Sequence, residues 1–225
     1  MQANDPYVQA NALKQQLEQG TVTLNQMEPL PGGSGCAFRY QNFVVKASLS
    51  TQTEQLEQLT KDYNLLRRIG KALQETKEMD DARTPLFQER TSGEYLGPFN
   101  IHDGRRVYLM EFVEGTFFKS TKAQVEKAIC VGFDCKSLTE AKEANFEDHR
   151  TVLKTQIEQI LGLPPIGDFQ CIVSEGSAKV FIIDPDPDSN RGDQFFKIEQ
   201  YWLPALEEIG IVDIKIPDED QRPRW

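Results

Sequence analysis

The sequence predicts an α+β fold with a strand-rich first half and a helix-rich second half. In the first half, short runs of β-branched and aromatic residues, separated by turn signals, surround one long amphipathic pattern. In the second half, helical patterns dominate and surround one small hairpin. We place the boundary at Gly115, which gives a predicted first lobe over residues 1–115 and a second over 116–225.

The first half contains a predicted hairpin followed by a long helix. A short helix is expected over residues 6–19, and weak strand character over 20–30. The runs 36–40 and 43–48 flank Gln41-Asn42, a two-residue connection typical of a tight β-hairpin. Apolar residues then recur at steps of three and four, which predicts an amphipathic helix of about five turns. These residues are Leu56, Leu59, Tyr63, Leu66, Ile69 and Leu73.

Two more strands are expected before the boundary. They cover residues 85–94 and 106–112, and the strand signal then stops at Glu114-Gly115.

The second half is expected to be helical from about residue 121 to 161. A compact hairpin follows, with strands over 171–173 and 180–183. A last helix is predicted over roughly 194–209. The same pattern gives no sign of internal repeats or low-complexity tracts.

Composition and charge exclude several classes of function. The chain has 225 residues, of which 39% are hydrophobic and 27% charged, values typical of a soluble globular protein. Its net charge of -10 argues against nucleic acid or an anionic membrane surface as the main partner. No stretch reaches the length of a membrane span, and residues 1–20 show no signal-peptide or transit pattern. Any export is therefore expected to use a route without a cleavable signal.

Cysteine and histidine usage argues against a zinc site. The four cysteines form no CxxC pair, and the chain has only two histidines. Cys36 and Cys171 lie in strand-like runs, which predicts small buried thiols and a reducing compartment.

Lys46 is the residue that points most directly to chemistry. It lies inside the apolar run 43–48, where a buried cation needs an anion beside it. The turn Gly32-Gly33-Ser34-Gly35 precedes it, and glycines let backbone N–H groups approach phosphates. A later apolar run ends at Asp184. This combination suits a metal–nucleotide, although a plain turn, a solvent-reaching lysine and a strand-ending acid are the structural alternatives.

These segments, in this order, resemble the protein kinase fold. Residues 107–115 (VYLMEFVEG) resemble a kinase fifth strand running into the hinge, and residues 43–46 (FVVK) resemble the third strand with its phosphate-pairing lysine. The resemblance covers residues 20–205 as architecture and about thirty residues as motif. It implies a two-lobed protein kinase-like fold with a reduced helical second lobe, and ATP and Mg²⁺ as cofactors.

The resemblance also assigns roles around the nucleotide. Lys46 would contact the α- and β-phosphates and pair with an acid on the following helix. Asp62 is the expected partner, in a stretch similar to E-Y-x-x-L-x-x-L of related phosphotransferases, and Glu54 and Glu57 are its rivals.

The adenine pocket would follow the fifth strand. Met110 would guard the back of this pocket, and Glu111 and Val113 would offer backbone groups to adenine.

The catalytic loop is the least complete match. It places Asp168 as catalytic base and Gln170 at the metal-binding Asn position, with the loop three residues short and its Arg missing. Asp184 would bind the metal as the Asp of D-F-G does, and Asp186 is either a second ligand or a solvated acid. The competing match, Asp148-His149-Arg150, lies too far before Asp184 and on a helix, so we expect it on a solvated surface.

We therefore expect a minimal Ser/Thr protein kinase that acts as a monomer on a protein substrate. About forty residues follow Asp184, and no A-P-E segment occurs among them. This shortness resembles the minimal effector kinases that bacteria inject into host cells, including a family that phosphorylates a host heat-shock chaperone. The expected location is the host cytoplasm or the bacterial cytoplasm. The alternatives are a nucleotide-binding pseudokinase, an aminoglycoside-kinase-type phosphotransferase, and AMP transfer on a kinase fold.

Overall fold

The computed structural model describes the chain in seven stretches: residues 5–31, 36–75, 97–119, 121–144, 146–163, 170–183 and 198–218. Their architecture is α+β, as the sequence predicted. The described chain divides into two units. The first unit contains residues up to Leu65 together with 97–112, and the second contains 66–75 and the described residues from Val113 onward.

Helix α1 (Pro6–Gln19) opens the first unit and confirms the short helix predicted there. Asp5 Oδ1 caps it by accepting a hydrogen bond from the backbone N–H of Tyr7 at 2.9 Å. Pro6 lies in the first turn, where its missing N–H costs no helical hydrogen bond. The helix buries one face, formed by Ala10, Leu13 and Leu17.

A five-stranded antiparallel sheet forms the body of the first unit. Its strands are β1 (Glu28–Pro29), β2 (Ala37–Tyr40), β3 (Phe43–Ala47), β4 (Phe99–Asn100) and β5 (Arg106–Glu111). They lie side by side in the order β1-β2-β3-β5-β4.

The hairpin predicted around Gln41-Asn42 is confirmed. Tyr40 pairs with Phe43, so Gln41 and Asn42 are the only residues that connect β2 to β3. Gln41 adopts a φ of 55°, the left-handed conformation that tight hairpin turns require.

Two helices lie on opposite faces of this sheet. Phe43, Val45 and Ala47 alternate along β3 toward one face, where they join a core that includes Leu13 and Leu17 of α1. Helix α2 (Thr53–Glu75), which confirms the predicted amphipathic helix, contacts the other face. There the ring of Tyr63 lies 5.4 Å from the ring of Tyr108 on β5.

The second unit combines a small sheet with helices. Strands β6 (Thr116–Lys119), β7 (Gln170–Val173) and β8 (Val180–Ile182) form an antiparallel sheet in that order. The helices are α3 (Lys122–Gly132), α4 (Leu138–Glu143), α5 (Glu147–Leu161), a π-helical turn (Ile198–Trp202) and α6 (Leu203–Glu208). The predicted hairpin and the predicted helical region before it are both confirmed.

Strand β6 corrects the expectation that the strand signal stops at Glu114-Gly115. Its pairing with β7, for example Phe117 opposite Ile172, joins residues far apart in the chain, which a local pattern does not reveal. Gly115 enters this strand with a φ of 154°, and a Cβ there would lie 2.5 Å from the carbonyl oxygen of Val173. A glycine is needed at this close approach.

Three further expectations meet the structure only in part. The weak strand character over 20–30 is realised as a 3-10 turn (Leu24–Gln26) and the two residues of β1. The described part of the last helix begins at Ile198 with π-helical geometry. The strand predicted over 85–94 lies outside the described residues. Within the described ranges, no helix combines the length and apolar character needed to cross a membrane.

Candidate functional site

Lys46 lies in the middle of the first unit's sheet. It belongs to β3, opposite Ala37 of β2 on one side and Tyr108 of β5 on the other. Because Val45 and Ala47 turn toward α1, alternation places the half-buried Lys46 side chain on the opposite face. This is the face on which Tyr108 meets α2.

Helix α2 brings Asp62 toward the same face of the sheet. Asp62 precedes Tyr63, whose ring contacts Tyr108, the residue paired with Lys46. The Asp62 side chain is half-buried, and its Oδ1 accepts a hydrogen bond from Gln58 Nε2 at 3.0 Å.

The two rival acids on the helix have a different environment. Glu54 and Glu57 are both exposed to solvent. The choice of Asp62 as the partner of Lys46 stays a prediction, which the position of Tyr63 favours.

Met110 lies on the same face as Lys46. It pairs with Val44, two residues before Lys46, and its side chain is buried. Glu111 ends β5 opposite Phe43 and is exposed. The next residue, Phe112, donates its backbone N–H to the carbonyl oxygen of Asn42 at 2.8 Å, which fixes the end of the strand. Val113 is half-buried and begins the second unit.

The pKa of the Cys36 thiol is affected by the positive charge of Lys46. Burial raises the pKa of the Cys36 thiol, and the positive charges of Arg105 and Lys46 oppose that rise without cancelling it. The N–H of Ala47, next to Lys46 in β3, donates to the carbonyl oxygen of Cys36 at 2.7 Å, so the two residues lie on neighbouring stretches of backbone.

In the second unit, the β7–β8 hairpin positions Gln170. This residue begins β7, and its carbonyl oxygen accepts a hydrogen bond from the N–H of Ile183 at 3.1 Å. Asp184 follows Ile183 directly in the chain. The hairpin therefore holds Gln170 beside Ile183, the residue that precedes the predicted metal ligand Asp184 in the sequence.

The structure does not describe every residue predicted for the site. The four residues of the predicted turn, Gly32, Gly33, Ser34 and Gly35, lie outside the described residues. So do the predicted catalytic base and the two predicted metal-binding acids, which are Asp168, Asp184 and Asp186.

The donor set of the predicted metal site suits magnesium. Carboxylate and amide oxygens, as Asp184, Asp186 and Gln170 would supply, are ligands that this hard cation prefers. Among the described residues, no group of three or more His, Cys, Asp or Glu side chains is placed to hold a metal ion.

The expectation that Asp148-His149-Arg150 lies on a solvated surface is wrong for two of its three residues. Arg150 Nη2 donates to the carbonyl oxygens of Ala141, Lys142 and Ala144 at the end of α4, at 2.8 to 3.0 Å. His149 Nε2 lies 2.8 Å from the carbonyl oxygen of Gly176 in the β7–β8 turn. Only Asp148 is exposed. The motif thus has a structural role, because orphan carbonyls at a helix end need donors.

Sequence reasoning missed Gln156, which is only 1% exposed and lies on α5. Its Oε1 accepts the N–H of Val180 at 3.0 Å, and its Nε2 donates to the Val180 carbonyl oxygen at 3.4 Å. A signal was present in the chain, since Gln156 interrupts the apolar stripe that contains Leu153, Ile157 and Ile160. A polar residue at such a position needs a specific partner.

Comparisons of the chain with protein-family models, with curated proteins and with solved structures found no match in any of the three.

Proposed function

We propose that the protein is a minimal protein kinase that transfers the γ-phosphate of ATP to a Ser or Thr hydroxyl of a protein substrate. One observation carries the proposal. Lys46 on β3, Met110 on β5 and the helix that bears Asp62 share one face of a single sheet. A phosphate-pairing lysine, a residue behind adenine and a lysine-orienting acid must meet in this way in a protein kinase.

Strand order adds support. Among the described residues, Lys46 lies on the third strand and Met110 on the fifth, and helix α2 follows the third strand directly. These are the positions that the resemblance assigned from motif alone. The antiparallel pairing of β3 with β5 fixes the positions of Lys46 and Met110 along the strands. Both residues are therefore held on a rigid sheet rather than on a loop.

The proposed residues divide the work of phosphoryl transfer, which depends mainly on positioning and electrostatic stabilisation. Lys46 holds the α- and β-phosphates, and Asp62 fixes the direction of the lysine. Met110 closes the back of the adenine pocket, and the backbone of Glu111 and Val113 hydrogen-bonds the adenine edge.

Asp168 accepts the proton of the substrate hydroxyl while the oxygen of that hydroxyl attacks the γ-phosphorus. The bond between that phosphorus and the β,γ-bridging oxygen breaks, and ADP leaves. Gln170, Asp184 and Asp186 would hold magnesium, which neutralises charge on the phosphates when bound.

A transfer assay with labelled ATP and magnesium tests the proposal. The substrates are the protein itself, a eukaryotic cell lysate and a purified heat-shock chaperone of the kind the resemblance implies. Lys46→Ala and Asp184→Ala should each lower transfer by at least about a hundredfold, because each removes a group that acts on the phosphates.

Matched controls separate chemistry from charge loss. Lys61→Ala removes an exposed lysine from α2, and Asp148→Ala removes the exposed acid of the competing motif. Both variants should retain transfer. Transfer that survives Lys46→Ala and Asp184→Ala contradicts the kinase proposal. Nucleotide binding without transfer would identify a pseudokinase, and a product heavier by AMP would identify nucleotidyl transfer.

A further inference from the structure

Two cysteines meet at the end of α3 in the second unit. Cys130 lies in the last turn of the helix, and Cys135 follows it after a left-handed turn at Asp134, where φ is 50°. The N–H of Cys135 donates to the carbonyl oxygen of Cys130 at 2.9 Å. The Cys135 Sγ donates a hydrogen bond to the carbonyl oxygen of Ser137 at 3.3 Å. Neither residue has a role in the proposed phosphoryl transfer.

This backbone hydrogen bond limits the separation of the two residues. With an N–O distance of 2.9 Å, standard bond lengths allow the two Cα atoms to lie at most about 6.8 Å apart. Disulfides form across Cα separations of roughly 4.4–6.8 Å. The Cys135 side chain also raises the pKa of Cys130, so the two side chains lie near each other. A bond between the sulfurs therefore needs little movement of the backbone.

We propose that Cys130 and Cys135 form a redox-active dithiol site, which a peroxide oxidises to an intramolecular disulfide. Both side chains are partly exposed, so a small oxidant reaches them from solvent. Where a disulfide forms in a reducing compartment, it is usually transient and serves redox sensing or catalysis.

The two thiols have different chemical roles. Burial raises the pKa of Cys130 to about 11, and the neighbouring Cys135 sulfur adds to the rise. Cys130 therefore keeps its proton near neutral pH, and we assign the first attack on the oxidant to Cys135.

The oxidation proceeds in two balanced steps. The Cys135 thiolate attacks one peroxide oxygen, the O–O bond breaks, and hydroxide leaves, so Cys135 becomes a sulfenic acid. The Cys130 sulfur then attacks the Cys135 sulfur and the S–O bond breaks. The departing hydroxide takes the Cys130 proton and forms water. In total, two thiols lose two electrons and two protons, and one hydrogen peroxide becomes two waters.

Cys171 provides an internal contrast. It is buried in β7, and burial raises its pKa to about 12. It should resist the same oxidant, because the thiolate and access to solvent are both lacking.

The test oxidises the reduced full chain with stoichiometric hydrogen peroxide. Thiols titrated in denaturant should fall from four to two and return to four with dithiothreitol. Peptide mass mapping should place the disulfide between Cys130 and Cys135. Phenylarsine oxide, which bridges two adjacent thiols with loss of water, should bind the reduced chain at one equivalent.

Serine variants assign the two roles. Cys130→Ser should stop the reaction at a Cys135 sulfenic acid that dimedone traps, and Cys135→Ser should leave all three remaining thiols titratable. Cys36→Ser, in the first unit, is the matched control and should still lose two thiols.

Two results would overturn the proposal. One is a persistent sulfenic acid in the wild type with both Cys130 and Cys135 unlinked. The other is a disulfide that maps to a different pair. Mapping uses the unmodified chain, so the proposal is decided even if a serine variant fails to fold.

Discussion

Two β-hairpins of the protein, β2–β3 in the first unit and β7–β8 in the second, are held in place by different means. In the first unit, β2 and β3 are joined by two residues and have further strands, β1 and β5, on their outer sides. In the second unit, a six-residue connection over 174–179 joins β7 to β8, and β8 lies at the edge of its sheet. There a side-chain amide from α5, that of Gln156, bonds both backbone groups of Val180.

This difference shows two ways to satisfy the backbone of a hairpin. A strand inside a sheet obtains its hydrogen bonds from neighbouring strands and its packing from the faces above and below. A strand at an edge presents unpaired N–H and C=O groups, which a protein must cover or leave to water. We expect the first hairpin to depend on apolar packing and the second on one buried polar side chain.

The largest expected effect comes from thinning the packing of the first hairpin. Leu109 on β5 is fully buried and pairs with Val45 on β3. Leu109→Ala should lower the free energy of unfolding by about 3 kcal/mol, because it removes buried methyl groups and leaves a cavity. Urea unfolding followed by circular dichroism measures this free energy.

Val8→Ala, at a site that is 51% exposed, is the control and should change the free energy of unfolding little. A loss below about 1 kcal/mol at Leu109 would contradict packing as the main support.

A smaller effect is expected from the polar contact of the second hairpin. Gln156→Leu should cost about 2 kcal/mol, because it leaves the buried N–H and C=O of Val180 without partners. Hydrogen exchange at Val180 should accelerate relative to Val45.

Gln159→Leu on the same helix is the matched control. The Oε1 of Gln159 is buried with no hydrogen-bond partner among the described residues, so this change should be neutral or stabilising. Equal losses for the two glutamine variants would mean that helix packing, rather than the bonds to β8, is responsible.

The smallest effect lies in the β4–β5 connection of the first unit. Burial opposes the ionisation of Asp103, but hydrogen bonds from the Arg105 N–H at 3.0 Å and Nε at 2.8 Å, with the Arg105 charge, outweigh it. The pKa of Asp103 is therefore held below its usual value. Solvent screens this exposed pair, so we expect less than about 1 kcal/mol from it.

The pH dependence of this contribution has a defined sign. Because the folded-state pKa is lowered, the stabilisation is present above the unfolded-state pKa and disappears as the pH falls through the folded-state pKa. The urea midpoints of the wild type and Asp103→Asn should differ at neutral pH and converge in acid, well below about pH 3.9. A difference that persists in acid would exclude the carboxylate charge as its source.

Most regular elements could be predicted because their signals are local. The Gln41-Asn42 turn lies between alternating runs, and the apolar residues of α2 recur at helical steps. Strand β6 could not be predicted in this way, because its pairing with β7 connects distant parts of the chain. The bonds of Arg150 to the end of α4 could not be predicted for a different reason, since the sequence of a helix end does not show which side chain will cap it.

The residues of the predicted site also differ in how they could be predicted. The face shared by Lys46 and Met110 follows from strand alternation once the two strands are known to pair. Asp168 and Asp184 were assigned by similarity to a family motif and not by periodicity. Their roles therefore depend on the transfer assay and its Asp184→Ala variant.

The alternation of β3 has a consequence for folding quality. A register slip of one residue would turn Lys46 toward α1 and move Val45 out of the core. The misaligned chain would bury an ammonium among Leu13 and Leu17, at a cost of several kcal/mol. The charge of Lys46 therefore disfavours the wrong strand register. A chain in the slipped register would lose stability, so stably folded molecules with this register should not accumulate.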